Sequence, residues 1–349
     1  MRVVVVGATG NVGTSLVRSL GEEPAVESVV GIARRPPTWQ APKTRWATAD
    51  MTTDDLVPHF RGADAVVHLA WLFQPTHDPA TTWCVNVVGS ERVFQAVHHA
   101  EVPALVYASS VGAYSPGPKD RRVDESWPTH GWPTGGYTRE KAYVERLLDA
   151  FERRHPEVRV VRLRPGFIFK RVSASQQRRL FAGPLLPNRL VRRDLIPVVP
   201  DTPALRFQAL HTADAGEAYR LAVVRPVRGA FNIAADPVLD PGHLAELLDA
   251  RVVRVPTPAL RAALAAAWRL HLVPASPYLF DAVVRLPIMD TARARAELGW
   301  SPRHSSLDAM RAFLEGLREG AGMGTPPLAA DAGGPGRARE LAGGVGERP

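Results

Sequence analysis

One cysteine, Cys84, stands in 349 residues. A lone thiol closes no intramolecular disulfide and builds no cysteine metal cage, so a reduced, cytoplasmic setting is expected. Long apolar runs are also missing. Met1 to Val6 is apolar, but Gly7 and Gly10 interrupt it well short of a signal-peptide core or a membrane span, and it reads as a strand. The Ala-rich stretch from Pro258 to Pro274 is broken by Arg261 and Arg269, which suits an amphipathic helix, with membrane-surface binding as the alternative. No helix-turn-helix, zinc-finger or RNA-binding aromatic signature accompanies the formal net charge of +8. Arginine is dense at Arg34-Arg35, Arg121-Arg122, Arg178-Arg179 and Arg189 to Arg193, and a solvated basic surface accounts for it without nucleic acid. His98 and His99 are adjacent and diverge by about 100 degrees on a helix, so no metal is expected.

What is present is alternation. With 45% hydrophobic residues the chain can bury a large core. Short apolar runs at Arg2 to Val6, Ser28 to Ala33, Ala65 to Leu69, Ala104 to Ala108 and Val158 to Leu163 read as strands. Helical stretches at Gly13 to Leu20, Trp83 to Ala100 and Tyr137 to Arg154 separate them. The pattern predicts an α/β fold, a Rossmann-type doubly wound parallel sheet with ligands at the carboxyl ends of its strands. Residues 1–169 and about 206–236 form the expected dinucleotide-binding domain, with Phe207 to Leu210 and Ala230 to Ile233 returning to the same sheet. A smaller, discontinuous substrate unit is expected over about 170–205 and 237–318, with helices at Pro241 to Ala250, Thr257 to Leu272 and Ser306 to Arg318. Residues 320–349 are Gly-, Pro- and Ala-rich and are expected to be disordered.

Directly after the first strand, Gly7, Ala8, Thr9, Gly10, Asn11, Val12 and Gly13 open a helix. Glycines there let the chain turn tightly and bring backbone N–H groups up to a pyrophosphate at the helix N-terminus. About 20 residues on, an NAD enzyme carries an acid for the ribose hydroxyls. Here Ala33 is followed by Arg34 and Arg35, so NADP is favoured over NAD; the alternative is an arginine that stacks on adenine or faces solvent.

Tyr137 and Lys141 lie four apart and share a helix face, where a neighbouring positive charge favours the phenolate. The run from Tyr107 through Ala108, Ser109 and Ser110 to Tyr114 supplies hydroxyls after a strand, with Ser110 27 residues before Tyr137. In this order, glycine loop, serine turn and Tyr-x-x-x-Lys, the chain resembles the extended short-chain dehydrogenase/reductase (NAD-dependent epimerase/dehydratase) family over roughly residues 1 to 318. The resemblance implies that Ser110 orients the reacting oxygen, Tyr137 exchanges its proton, and Lys141 also holds the nicotinamide ribose. It makes Ala108 and Ser109 cofactor-side neighbours. It gives Asn86 a backbone-shaping and proton-path role, Asp50 and Met51 the adenine side, Leu69 and Ala70 the turn beside the cofactor, and Pro165, Gly166 and Ile168 the nicotinamide side. Asp124-Glu125, His211 to Asp214 and Leu298 to Pro302 match further landmarks. His68, at a strand end, reads as structural rather than as a base.

Departures from the family narrow the expected chemistry. Phe167 replaces an asparagine and Phe207-Gln208 replaces an Arg-Asp pair that nucleotide-sugar epimerases carry. Val111-Gly112 replaces the acidic pair of sugar dehydratases. Trp71, Phe73, Trp83, Trp127 and Trp132 either line an apolar pocket or belong to core and lid. The expectation is hydride transfer between nicotinamide and a carbonyl or secondary alcohol of a small molecule. The alternatives are a sugar epimerase with retained cofactor and a noncatalytic NADP-binding sensor. A homodimer through two helices is implied by the resemblance alone.

Overall fold

The computed structural model describes residues 1–74, 76–182, 197–202 and 204–330. The arginines at 189–193 and the tail beyond 330 lie outside the described residues. Thirteen strands are described: β1 (Arg2–Val6), β2 (Ser28–Ala33), β3 (Thr44–Thr48), β4 (Ala65–His68), β5 (Ala104–Ala108), β6 (Arg122–Val123), β7 (Arg159–Pro165), β8 (Phe167–Phe169), β9 (Val198–Asp201), β10 (Ala209–His211), β11 (Gly229–Ile233), β12 (Arg251–Arg254) and β13 (Ile288–Met289). The helices are α1 (Asn11–Glu22), α2 (Val57–Phe60), α3 (Pro79–Trp83), α4 (Gly89–His99), α5 (Gly136–Arg154), α6 (Ala174–Phe181), α7 (Thr212–Val224), α8 (Pro241–Leu248), α9 (Thr257–Arg269), α10 (Pro277–Val283), α11 (Ala292–Ala296) and α12 (Ser306–Glu319). A π-helical turn, Cys84–Val88, joins α3 to α4.

Seven parallel strands form the central sheet in the order β11-β7-β5-β4-β1-β2-β3. Its central strands are apolar on consecutive residues because both faces are covered: Val3 to Val6 are all buried. One face packs with α1 and α7 around Leu16, Leu20, Tyr219 and Trp300; the other packs with α4 and α5 around Phe60, Phe94, Leu148 and Phe151. The chain reverses direction across the sheet between β1 and β4, and ligands of such sheets bind in the crevice at that point.

Of the two strands expected to rejoin the sheet, Gly229–Ile233 does so beside β7. Ala209–His211 does not. It pairs with β8 in a separate two-stranded ribbon, and Phe207 is bridged to Leu239. The chain has already left the sheet after Pro165, so β10 meets β8 and carries a third cluster: Ala174, Ala209, Leu239 and Leu247 against Met310, Leu314 and Leu317 of α12. The expectation of disorder from residue 320 also begins too early. Leu328 is fully buried, and the Gly324 carbonyl accepts from the backbone N–H groups of Thr38 and Trp39 at 3.1 and 3.0 Å. A single buried leucine and two backbone bonds are invisible to composition. Among the described residues, no helix is long and apolar enough to cross a membrane.

Candidate active site

The glycine loop and the turn after β4 meet at the reversal point. Gly7 has φ 87°, and a Cβ on it would stand 2.6 Å from the Ala70 nitrogen. A Cβ on Gly13 would stand 2.3 Å from the Gly7 carbonyl oxygen, so neither position admits a side chain. Gly10 caps α1 without a side chain, which leaves the amides of the first turn as donors for an anion. This cradle fits a pyrophosphate. Thr9 is buried and Val12 packs against the core. Asn11 donates to the Ile168 carbonyl at 3.3 Å and accepts from the Thr212 hydroxyl at 3.1 Å, so its side chain fastens the loop to β8 and α7. Lys170, which sequence reasoning passed over, buttresses the same turn: its ammonium donates to the Asn11 carbonyl at 2.7 Å and to the Thr14 hydroxyl at 2.6 Å. Burial, with Arg18 nearby, pushes its pKa down to about 7.

Arg34 and Arg35 are exposed at the carboxyl end of β2, whose Ile32 carbonyl accepts from the Gly7 N–H at 3.0 Å. Asp50 accepts from the Thr52 N–H and hydroxyl at 2.9 and 2.6 Å, and Met51 is buried against Gly89. His68 is no base. It is fully buried, its Nε2 lies 2.8 Å from the Ser90 hydroxyl, and burial together with Lys141 holds its pKa down at about 3.

Tyr137 sits in the first turn of α5 and Ser110 at the turn after β5. The Ser110 hydroxyl lies beside the Tyr137 side chain and accepts from the Gly112 N–H at 2.9 Å. Burial pushes the phenol pKa up to about 12, with the Ser110 contact opposing it. The expectation that Lys141 tunes this phenol is not met in this geometry. Its ammonium donates to the Ala108 carbonyl at 2.7 Å, lies 3.3 Å from the centre of the Trp71 ring, and stands 6.0 Å from the Tyr137 ring centre. Trp71 is thus a near neighbour of the cation, and desolvation drives the lysine pKa well down. Ser109 is buried and donates to Glu145 at 2.6 Å.

Asn86 is fully buried and tied to the Leu72 backbone. Its side chain accepts from the Leu72 N–H at 2.7 Å and donates to the Leu72 carbonyl at 2.8 Å. The same amide donates to Glu140 at 2.7 Å, and Thr82 donates to the other Glu140 oxygen at 2.7 Å. Glu140 was missed by sequence reasoning although it lies inside Tyr-x-x-x-Lys; its burial is the signal, and a single sequence does not show it. The network fixes the segment that carries two aromatics onto the tyrosine. Phe73 stacks on Tyr137 at 5.1 Å and 13°, Trp71 meets it edge-on at 5.9 Å, and Phe181 meets Phe73 edge-on at 5.9 Å. The other tryptophans lie elsewhere: Trp83 against Tyr143, Trp127 against Arg121 and Trp132 against Arg285.

Next to Ser110 in the chain, Val111 joins Phe167, Phe207, Leu286 and Met289, with Arg206 as the cation, in lining a small pocket of about 10 Å³, room for about one water. Gln208 does not reach into it as a free donor. It donates to the Met289 carbonyl at 3.1 Å and accepts from the Met289 N–H at 2.7 Å. Gly166 donates its N–H to the Ile233 carbonyl at 3.0 Å.

A model of the NAD-dependent epimerase/dehydratase family matches residues 3–234. An uncharacterized protein of Mycobacterium tuberculosis is 26% identical over 331 residues, covering 90% of this chain and 83% of that relative. Sterol-4-alpha-carboxylate 3-dehydrogenase, decarboxylating, of Candida albicans is 29% identical over 182 residues, 48% of this chain and 50% of that relative. Among solved structures, Thermus thermophilus UDP-glucose 4-epimerase in complex with NAD superposes with a TM-score of 0.67 at 21% identity, covering 91% of this chain and 99% of that one.

Proposed function

The chain belongs to the NAD-dependent epimerase/dehydratase family, and we propose that it catalyses net hydride transfer between NADP(H) and the secondary alcohol or ketone of an apolar, ring-bearing small molecule. The observation that carries this reading is the aromatic mouth, Phe73 stacked on Tyr137 with Phe181 edge-on behind it. A flat apolar substrate packs against such a wall, whereas a charged nucleotide diphosphate loses water there with little return. The Candida relative's name also specifies a sterol.

When bound, a nicotinamide cofactor would supply the hydride chemistry. Gly7, Gly10 and Gly13 with the first turn of α1 hold its pyrophosphate. Ser110 donates a hydrogen bond to the substrate oxygen and Tyr137 delivers or removes the proton on it. Lys141 holds the ribose hydroxyls. Trp71 and Phe73 exclude water from the phenol.

The test is a paired assay. Purified protein is offered cyclic ketones and secondary alcohols with each cofactor, and separately UDP-glucose, following nicotinamide absorbance and sugar products. Turnover on the cyclic compounds with net change in absorbance is expected. Interconversion of UDP-sugars with no net cofactor change would place the protein with the epimerases and end this reading. For the cofactor, Arg34→Asp is expected to weaken NADPH binding about tenfold or more while sparing NADH, in line with loss of one charge-assisted contact. Equal affinity of that variant for NADPH removes the phosphate role of Arg34.

A further inference from the structure

Far from the glycine loop, α4 and α5 end where β5 and β7 begin, and three donors converge there. His98 lies in the last turn of α4, His155 caps α5, and Glu157 follows in the turn before β7. The two imidazole rings are 3.8 Å apart between centres, tilted by 32°. Nδ1 of His98 and Nδ1 of His155 stand 3.7 and 3.6 Å from the same Glu157 oxygen, Oε1. One donor atom from each residue lies within 4.8 Å of the others, and among the described residues this is the group of three so placed.

Those separations are too long for hydrogen bonds, which run about 2.7–3.2 Å. They suit ligands of one cation once the stacked rings turn apart, so that each Nδ1 lone pair, which lies in its ring plane, faces the ion. Bonds of about 2.0–2.2 Å at tetrahedral angles set neighbouring ligand atoms roughly 3.3–3.6 Å apart. Both helices also point their carboxyl ends, with partial negative charge, at this place. Arg154, the nearest cation in sequence, turns its Nε back to the Ala150 carbonyl at 3.2 Å.

We propose that His98, His155 and Glu157 form a binding site for a first-row divalent cation, with zinc the best match to two imidazoles and a carboxylate. Three protein ligands leave the remaining coordination to water. The ion ties the end of α4 to the end of α5 across 57 residues of chain, a clamp independent of the hydride-transfer site. The adjacency of His98 and His99 argued against a metal only because the true partner of His98 is not its neighbour.

The experiment uses the full chain without a histidine tag, dialysed against chelator. Zinc is titrated calorimetrically and cobalt by its visible spectrum, in wild type and in His98→Gln and Glu157→Gln, both substitutions at solvent-accessible positions. One equivalent of zinc with a raised thermal midpoint in wild type, at least about tenfold weaker binding in each variant, and a cobalt spectrum without thiolate charge transfer are expected. No zinc binding in wild type overturns the site. So does binding unchanged in both variants, or a thiolate band that assigns the ion to the exposed Cys84.

Discussion

Tyr137→Phe is expected to lower kcat by about 10²–10⁴-fold, the usual weight of a positioned general acid or base, while NADPH affinity changes less than about twofold. The phenol is the group lost; the ring keeps its stacking on Phe73 and its edge contact with Trp71, so the fold around it has no reason to change. Cofactor titration and thermal unfolding of the same preparation separate a chemical defect from a misfolded protein. The direction of the pH effect follows from the phenol, which burial pushes up to about 12. A protonated tyrosine is ready to donate, so reduction is expected to be nearly flat through neutral pH. Oxidation needs the phenolate and is expected to accelerate as pH rises. A variant with wild-type turnover removes Tyr137 from the chemistry. A wild type that binds NADPH but turns over nothing in a broad screen favours the sensor alternative.

Much of the fold was legible because its signals are local. Four consecutive valines before a glycine loop need a strand buried on both faces, and β1, β2 and β5 stand where their apolar runs placed them. β3 was not legible: Thr44–Thr48 is half-exposed at the sheet edge and its one large apolar residue, Trp46, covers β2. The later chain was harder for a related reason. The partner of β10 is β8, and nothing in the three residues Ala209–His211 says which sheet they join. In the site, the glycine loop, Ser110, Tyr137 and Lys141 lie at one end of the sheet. Their side-chain directions were not implied. Lys141 lies on Trp71 and Ser109 turns to Glu145, because each answers to a residue far away in the chain. Two landmarks read only as family likeness acquire a shared physical purpose: Trp300 donates to the Asp214 carbonyl at 2.9 Å, and the Asp214 carboxylate accepts from the His304 N–H at 2.9 Å.

Glu145→Gln is expected to lower the free energy of unfolding by about 3–5 kcal/mol, the cost of breaking a buried ion pair from one side. Glu145 is fully buried beneath the serine turn and meets two arginines: Arg164 at 2.9 and 3.1 Å through Nε and Nη2, and Arg162 at 2.9 Å. Arg162 keeps Asp149, at 2.6 Å, and Glu152 when Glu145 is neutral. Arg164 keeps the Tyr114 hydroxyl and the Glu125 carbonyl, both at 3.0 Å, so among the described residues no carboxylate stays hydrogen-bonded to this buried charge. Burial alone raises the Glu145 pKa, but the two guanidinium groups and the Ser109 hydroxyl overcome it and hold the group at about 2. A depressed carboxylate stabilises the fold above its unfolded pKa near 4.5 and loses that contribution as pH falls toward 2. Urea unfolding across that window is expected to show a steeper acid loss in wild type than in Glu145→Gln. Glu152→Gln, at the open end of the same network, is expected to cost about 1 kcal/mol or less, since Arg162 retains two carboxylates. Similar stability for wild type and Glu145→Gln at neutral pH would show that the pair is replaceable. Because Ser109 donates to this carboxylate and precedes Ser110, the loss of stability is expected to come with a lower kcat as the serine turn loosens.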